Sequence, residues 1–173
     1  MVVLDASFVL LLIQPDAKAP IDPTTKTAVE KCKTRIEHLI AELGEAKTAV
    51  IVPAPALAEF LVRAGPAATG YLQELQNERA IRVEPFGQRA AIECALLIDG
   101  AKKAGKSTKP GDTWAKVKFD RQIIAIAKVV GAKTIYTNDA NLAKVAGANG
   151  LRRLPEASAQ TQSATPAPQP VPP

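Results

Sequence analysis

The sequence predicts an α/β fold in which a central, mainly parallel sheet of four to five strands lies between layers of helices. Short runs rich in Val, Ile and Leu alternate along the chain with longer segments of helical spacing. This alternation is typical of parallel strands joined by crossover helices, which cover both faces of the sheet. The 173 residues, 47% of them hydrophobic, are enough for one domain with a sizeable core.

Five short segments have the composition of buried strands. Each is three or four residues long and rich in β-branched or aliphatic side chains, which favour a pleated, buried backbone. The predicted strands are Val2–Leu4, Ala49–Val52, Ile81–Glu84, Thr134–Tyr136 and Leu151–Leu154.

Seven segments between these strands are predicted helices. Apolar residues recur in them at helical spacing, and Pro15, Gly44 and Gly131 stand where three of them end. The predicted helices are Ala6–Ile13, Thr24–Leu43, Pro55–Ala64, Ala67–Glu78, Gly87–Lys103, Thr113–Val130 and Asn138–Ala146.

The last 19 residues differ from the rest in composition. PEASAQTQSATPAPQPVPP is rich in Pro, Ala, Ser, Thr and Gln and has no apolar periodicity. Such a segment cannot bury enough apolar surface to fold alone. We therefore predict one folded domain at 1–154 and a disordered tail at 155–173.

The composition excludes several classes of site. His38 is the single histidine, and Cys32 and Cys94 are the only cysteines, so neither a disulfide framework nor a zinc or Ser-His-Asp site is expected. The apolar opening run is too short to span a bilayer and is interrupted by Asp5. It also lacks the features of a signal peptide. We therefore expect no membrane contact and a cytoplasmic protein.

The net charge of +5 favours a polyanionic partner such as nucleic acid. A basic surface that serves only solubility is the alternative. Phe, Trp and Tyr together number seven, so an aromatic platform for stacked bases is not expected.

Carboxylates occur where a site is expected in this fold. Asp5 directly follows the first predicted strand, and Asp139 follows the fourth by three residues. The carboxyl ends of parallel strands meet at one edge of the sheet, where such folds place their sites. The alternative for Asp139 is the cap of the helix that follows, a common use of Asp.

Two further acids lie on predicted helices. Asp120 shares an i, i+3, i+4 face with Ile123 and Ile124, which places it on the core side of its helix. The alternative is an edge position in which it pairs with Lys116 or Arg121. Glu59 lies in VPAPALAEFL, where an ordinary exposed glutamate is the alternative.

Several carboxylates gathered at one sheet edge would repel one another. A hard divalent cation removes this repulsion, and Mg²⁺ or Mn²⁺ prefers such oxygen ligands. An acidic, metal-holding centre inside a basic body is the electrostatic arrangement expected of a nuclease.

Four motifs in order give the chain a family resemblance. LDAS, the glutamate in VPAPALAEFL, FDRQIIAIA and TNDANL together resemble the PIN domain family, in particular the VapC-type ribonuclease toxins of VapBC toxin–antitoxin systems. The resemblance extends over residues 1–154. It implies a three-layer α/β/α sandwich and a ribonuclease that depends on Mg²⁺ or Mn²⁺ and leaves 5′-phosphate and 3′-hydroxyl ends.

The resemblance also implies roles for single residues. It makes Asp5, Glu59, Asp120 and Asp139 the catalytic, metal-binding quartet. Ser7 and Asn138 would orient the ligands or water from behind them, although Ser7 is also a candidate helix N-cap. RNA as the substrate, an antitoxin protein as partner and a homodimer are the expectations that follow for partners.

The loop KSTKPGDTWAKVK is longer and more basic than a minimal connection, and in this it departs from the family pattern. Lys116, Lys118 and Arg121 surround Asp120 and are our candidates for contact with RNA phosphates, with helix solubility as the alternative. Trp114 is a candidate for base stacking or, as the alternative, for packing in the core or in a dimer.

Other functions remain open from the sequence. A catalytically silent PIN module that binds RNA or protein would keep the fold, and a nuclease acting on DNA would use the same chemistry. An aspartyl phosphatase is less well matched, because its second Asp would stand at position 7, where this chain has Ser7. A dinucleotide-binding dehydrogenase is excluded by the lack of G-x-G-x-x-G after the first strand.

Overall fold

A computed structural model of the chain describes residues 1–14, 16–22, 25–105 and 114–154, without the side chains of Trp114, Arg153 and Leu154. The predicted tail at 155–173 and most of the basic loop, at 106–113, lie outside the described residues. The proposed uses of the Trp114 side chain lie outside them too.

The centre of the structure is a parallel sheet of five strands in the order β3-β2-β1-β4-β5. The strands are β1 (Val2–Leu4), β2 (Val50–Pro53), β3 (Ile81–Glu84), β4 (Thr134–Tyr136) and β5 (Arg152–Leu154). Each predicted strand is present, with its ends displaced by one residue at most. The sheet is parallel at every pairing, so the prediction of a mainly parallel sheet is confirmed.

Helices flank the sheet and complete a three-layer α/β/α sandwich, as predicted. They are α1 (Ala6–Ile13), α2 (Cys32–Glu45), α3 (Ala54–Ala64), α4 (Ala68–Asn77), α5 (Gln88–Lys103), α6 (Trp114–Val129) and α7 (Ala140–Ala148). A 3₁₀ turn, Gly65–Ala67, joins α3 to α4.

The helix predicted for Thr24–Leu43 begins eight residues later than expected, at Cys32. The Asp22 side chain accepts a hydrogen bond of 3.0 Å from the Thr25 backbone N–H, which forms a local turn. Side chains of this type compete with helix formation by bonding nearby backbone groups. Ile21 and Ala28 then form an isolated antiparallel bridge, so the chain reverses before α2 starts.

The core lies around the central strand β1 and its neighbour β2. The residues of β1 and β2 are buried, and Phe8 of α1, Phe60 of α3 and Ile124 of α6 are fully buried around them. The Phe8 ring also packs on Tyr136 of β4, with ring centroids 5.5 Å apart. The helices that carry the predicted site residues are thereby fixed against the sheet.

The register between β1 and β4 fixes the start of the site. Val2, Val3 and Leu4 pair with Thr134, Ile135 and Tyr136 in turn. The Asp5 backbone N–H continues the ladder and donates to the Tyr136 carbonyl at 3.1 Å. Asp5 and Thr137 therefore leave the sheet side by side at its carboxyl edge.

Among the described residues, no helix is both long and apolar enough to cross a membrane.

Candidate active site

Asp5 is a buried carboxylate at the carboxyl end of the central strand, with only 5% of the residue exposed. It is the N-cap of α1: Oδ1 accepts hydrogen bonds from the backbone N–H groups of Ser7 at 2.8 Å and Phe8 at 3.3 Å. The Ser7 hydroxyl donates to the same oxygen at 2.5 Å. The alternative that made Ser7 the N-cap is therefore wrong, because Ser7 lies inside the helix and bonds to the cap.

Thr137 is the residue of the site that the sequence interpretation missed. It is fully buried, and its hydroxyl donates to Asp5 Oδ2. The same hydroxyl oxygen accepts from the Asp139 backbone N–H at 3.0 Å. A polar residue that prolongs a strand buried on both faces needs a partner, and that signal was present in the sequence. Thr137 thus joins the two acids that follow β1 and β4.

Burial raises the pKa of the Asp5 carboxyl, although hydrogen bonds from Ser7, Thr137 and the Phe8 N–H act in the opposite direction. These donors are neutral, so they stabilise the carboxylate less than a positive charge would. A cation next to Asp5 would favour the ionised form. The buried carboxylate therefore fits the expectation of a metal ligand chemically.

Asp139 is the N-cap of α7, so the capping alternative is confirmed for this residue. Its Oδ1 accepts from the backbone N–H groups of Asn141 at 2.7 Å and Leu142 at 3.0 Å. Its Oδ2 accepts from Lys116 Nζ at 2.6 Å. Burial alone would raise the pKa of Asp139. The Lys116 hydrogen bond and the two backbone N–H groups lower this pKa by more than burial raises it, so the net shift is downward.

Glu59 lies in the middle of α3, half exposed, and pairs with a cation of its own helix. The Arg63 guanidinium donates to Glu59 Oε1 at 2.5 Å, one helical turn away. This arrangement matches the alternative of an ordinary helix glutamate.

Asp120 is half-buried in the seventh position of α6, and the buried Ile123 and Ile124 follow three and four residues later. The predicted helix and the core-facing side of α6 are therefore present. α6 packs on α3, α5 and α7, so it lies between the helices that carry Glu59 and Asp139.

The structure connects two of the predicted acids. Asp5 and Asp139 are connected through Thr137, and Lys116 lies against Asp139. Within the described part of the chain, no three Asp, Glu, His or Cys side chains are close enough to hold one ion. The donor types suit Mg²⁺ or Mn²⁺, and Lys116 and Arg63 supply positive charge to two of the four acids.

The remaining predicted residues differ in their exposure. Asn138 is half-buried in the turn between β4 and α7. Lys118 is exposed on α6. Arg121 is half-buried and acts electrostatically on the Cys94 thiol of α5, whose pKa is raised by burial and lowered by the guanidinium. Lys118 is thus the exposed member of the pair, whereas Arg121 lies near α5.

Comparison with known families decides the classification, because the sequence profile of the PIN domain matches residues 2–148. The chain belongs to the PIN domain family. The family predicted from LDAS, the glutamate in VPAPALAEFL, FDRQIIAIA and TNDANL is therefore confirmed over nearly the whole of the described structure. No curated protein matches the sequence.

Solved structures share this PIN fold at low sequence identity. FitAB bound to an IR36 DNA fragment superposes with a TM-score of 0.60 and 18% identity, over 90% of this chain and 95% of that one. DNA-bound VapBC from Salmonella typhimurium gives 0.56 and 17%, over 90% and 97%. The sarcin-ricin loop cleaving toxin VapC20 of Mycobacterium tuberculosis gives 0.51 and 15%, over 87% and 96%. At these identities the likeness establishes the fold alone.

Proposed function

We propose that this PIN domain is a ribonuclease that depends on Mg²⁺ or Mn²⁺ and acts as the toxin of a toxin–antitoxin pair. The observation that carries the proposal is the buried Asp5 carboxylate at the carboxyl edge of the sheet. The Ser7 and Thr137 hydroxyls hold this carboxylate by hydrogen bonds, and Thr137 links it to Asp139. A buried charge is costly unless a counter-ion and hydrogen bonds stabilise it, so a carboxylate kept at this position indicates a function. The family membership supports nuclease chemistry at this edge.

The proposed ligands are Asp5, Glu59, Asp120 and Asp139. Ser7 and Thr137 hold the Asp5 carboxylate in one orientation, which is the usual contribution of groups behind a metal ligand. Asn138, in the turn before Asp139, is proposed to orient a ligand or water in the same way. A bound divalent cation would supply a more acidic water and would stabilise negative charge on the phosphate.

The acid–base and binding steps fall to the chain's own side chains. The half-buried Asp120 or Glu59 takes the proton of the attacking water, since a carboxylate within hydrogen-bond reach is a competent base. Lys118, with Lys116 and Arg121, contacts the RNA phosphates and positions the strand. Hydrolysis then yields a 5′-phosphate and a 3′-hydroxyl.

The proposed partners follow from the proteins that share the fold. The proteins that share the fold include VapBC and a toxin described as cleaving the sarcin-ricin loop. We propose an antitoxin protein as the binding partner and a homodimer as the assembly. Light scattering on the purified chain, alone and with the product of a neighbouring gene, measures both.

A second function is favoured by one observation. In the described residues no three acids form a group that could hold an ion, and Glu59 and Asp139 each pair with a cation of the chain. A catalytically silent PIN module that binds RNA or protein would have such an arrangement.

RNA cleavage by the purified protein separates the two functions. The assay compares wild type with Asp5→Asn and Asp120→Asn in Mg²⁺ or Mn²⁺ and in EDTA. Asp99→Asn is the matched control, because Asp99 is an exposed acid on α5 that pairs with Lys103 at 2.7 Å. The proposal expects metal-dependent cleavage by wild type and by the control, and none by the other two variants.

Other outcomes are equally informative. Wild type that binds RNA without cutting it supports the silent module, and cutting of DNA in place of RNA changes the substrate but keeps the site. Cleavage that survives in Asp5→Asn with its metal dependence intact would refute the assignment of Asp5. Circular dichroism melting of each variant confirms that loss of cleavage is not loss of fold.

A further inference from the structure

The ion pair between Lys116 and Asp139 provides the site with a cation from the chain itself. Lys116 is the third residue of α6, and Asp139 caps α7, 23 residues later. The Nζ–Oδ2 distance of 2.6 Å is that of a charge-assisted hydrogen bond. The contact therefore joins two separate elements at the edge where the metal ligands are proposed.

The two carboxylate oxygens of Asp139 have different partners. Oδ1 accepts from the N–H groups of Asn141 and Leu142 and is thereby committed to the helix cap. Oδ2 accepts from Lys116. A cation that approaches Asp139 from outside the helix therefore meets Lys116 at the same oxygen.

We infer that Lys116 is a competing counter-ion, a positioning residue that holds Asp139 in the metal-free protein and must leave it when a divalent cation binds. This inference rests on the proposed function, which makes Asp139 a ligand. Two positive charges at one carboxylate oxygen repel each other. Metal binding therefore includes the cost of breaking the Lys116–Asp139 pair.

The position of Lys116 allows it to leave at a small cost. Its side chain is 44% exposed, and its four-carbon stem can carry the ammonium into water. A pair with this exposure has a modest strength. The lysine therefore weakens metal affinity without preventing metal binding, and it sets the metal concentration at which the site fills.

Titration with Mn²⁺ alone tests this without any RNA. Free Mn²⁺ is measured by electron paramagnetic resonance for wild type, Lys116→Met and Lys116→Arg. The matched control is Lys103→Met, because Lys103 is an exposed lysine that pairs with Asp99 at 2.7 Å on the outer helix α5. It removes the same charge and frees Asp99, a carboxylate that is not among the proposed ligands.

We expect Lys116→Met to bind Mn²⁺ about three- to fivefold more tightly than wild type, the range that a half-exposed pair allows. Lys116→Arg, which keeps the charge, and Lys103→Met are expected to match wild type. The inference is overturned if Lys116→Met binds no more tightly than wild type. It is also overturned if Lys103→Met gains as much, since the effect would then be one of net charge.

The variant Asp139→Asn separates this inference from the proposed function. If Asp139→Asn weakens Mn²⁺ binding while Lys116→Met equals wild type, the inference alone fails. If Asp139→Asn binds as wild type does, or if neither wild type nor Lys116→Met binds Mn²⁺, the assignment of Asp139 as a ligand fails and the inference with it.

Discussion

At the scale of single residues, Asp5 combines two duties that usually conflict. It caps α1 through Oδ1, and it presents a buried carboxylate at the edge of the sheet. The cap satisfies backbone N–H groups that would otherwise lack partners. Because burial raises its pKa, the same residue opposes folding whenever it is ionised without a cation.

Asp5→Asn should stabilise the metal-free protein, increasingly so as pH rises. The folded pKa of Asp5 lies above its unfolded value, so folded wild type binds more protons and loses stability above about pH 4. The amide variant keeps the cap and has no such loss. Its advantage should grow by up to about 1.4 kcal/mol per pH unit until the folded pKa is passed.

Urea unfolding in EDTA at several pH values between 4 and 7 measures this difference. Asp99→Asn, on the exposed face of α5, is the control that should show no such trend. A stability difference that is constant across this pH range would contradict a raised pKa for Asp5.

Thr137→Val should damage both the fold and the site. The substitution leaves Asp5 Oδ2 and the Asp139 N–H without their shared hydroxyl, and an unsatisfied buried group costs about 1–3 kcal/mol. Thr137→Ser keeps the hydroxyl and should retain cleavage. Urea unfolding and RNA cleavage of both variants provide the two readouts, and equal behaviour of Val and Ser would show that the hydroxyl is dispensable.

At the scale of elements, the site is built where strands pass into helices. Asp5 caps the helix after β1, and Asp139 caps the helix after β4. Both caps place a carboxylate at a helix N-terminus, where the positive end of the helix dipole stabilises negative charge. Local capping chemistry thus fixes two of the proposed ligands before any metal is considered.

Because Asp139 caps α7, we expect Asp139→Asn and Asp139→Ala to differ in their free energy of unfolding. Asn can still accept from the Asn141 and Leu142 N–H groups, whereas Ala cannot, so Ala should cost about 1 kcal/mol more in unfolding free energy. Both variants should lose cleavage. Urea unfolding in EDTA decides the matter, and equal stability of the two would mean that the cap contributes little.

The sequence predicted the elements better than the contacts between them. The strands were predictable because their apolar runs are short and bounded, and α1 and α6 because their ends carry clear signals. The start of α2 was not, because the Asp22–Thr25 turn interrupts a segment with good helical spacing. The Lys116–Asp139 pair depends on how α6 packs near α7, and nothing local to either residue encodes that.

Thr137 could be predicted from the sequence only in part. Its identity and its place after β4 were visible in the sequence, but its partner depends on the register that sets Leu4 opposite Tyr136. A strand order of β1 beside β4 was required to see that Asp5 and Thr137 meet. The acids could be predicted one by one, whereas their mutual geometry could not.

At the scale of the whole molecule, positive charge should govern binding to RNA. The chain has a net charge of +5, and Lys118 is exposed on α6, the helix that carries Asp120. Phosphate contacts release counter-ions, so affinity should fall linearly with salt on a logarithmic plot. In the cleavage-deficient Asp5→Asn background, Lys118→Gln should reduce that slope by about 0.7 for a single strand.

Fluorescence anisotropy with a labelled single-stranded RNA at several salt concentrations measures the slope. Lys103→Gln in the same background removes the same charge from the end of α5 and should leave the slope unchanged. If both lysines change it equally, binding depends on overall charge, and Lys118 makes no specific phosphate contact.

The position of β1 in the middle of the sheet has a consequence for the order of events on the ribosome. Asp5 is made well before its hydrogen-bond partner Thr137, which follows 132 residues later. Until that residue leaves the exit tunnel, β1 lacks its neighbour β4, and Asp5 Oδ2 lacks the hydrogen bond from the Thr137 hydroxyl. A nascent chain that has not yet reached Thr137 thus carries an incomplete centre, and we expect it to lack the proposed nuclease activity until that residue has been made.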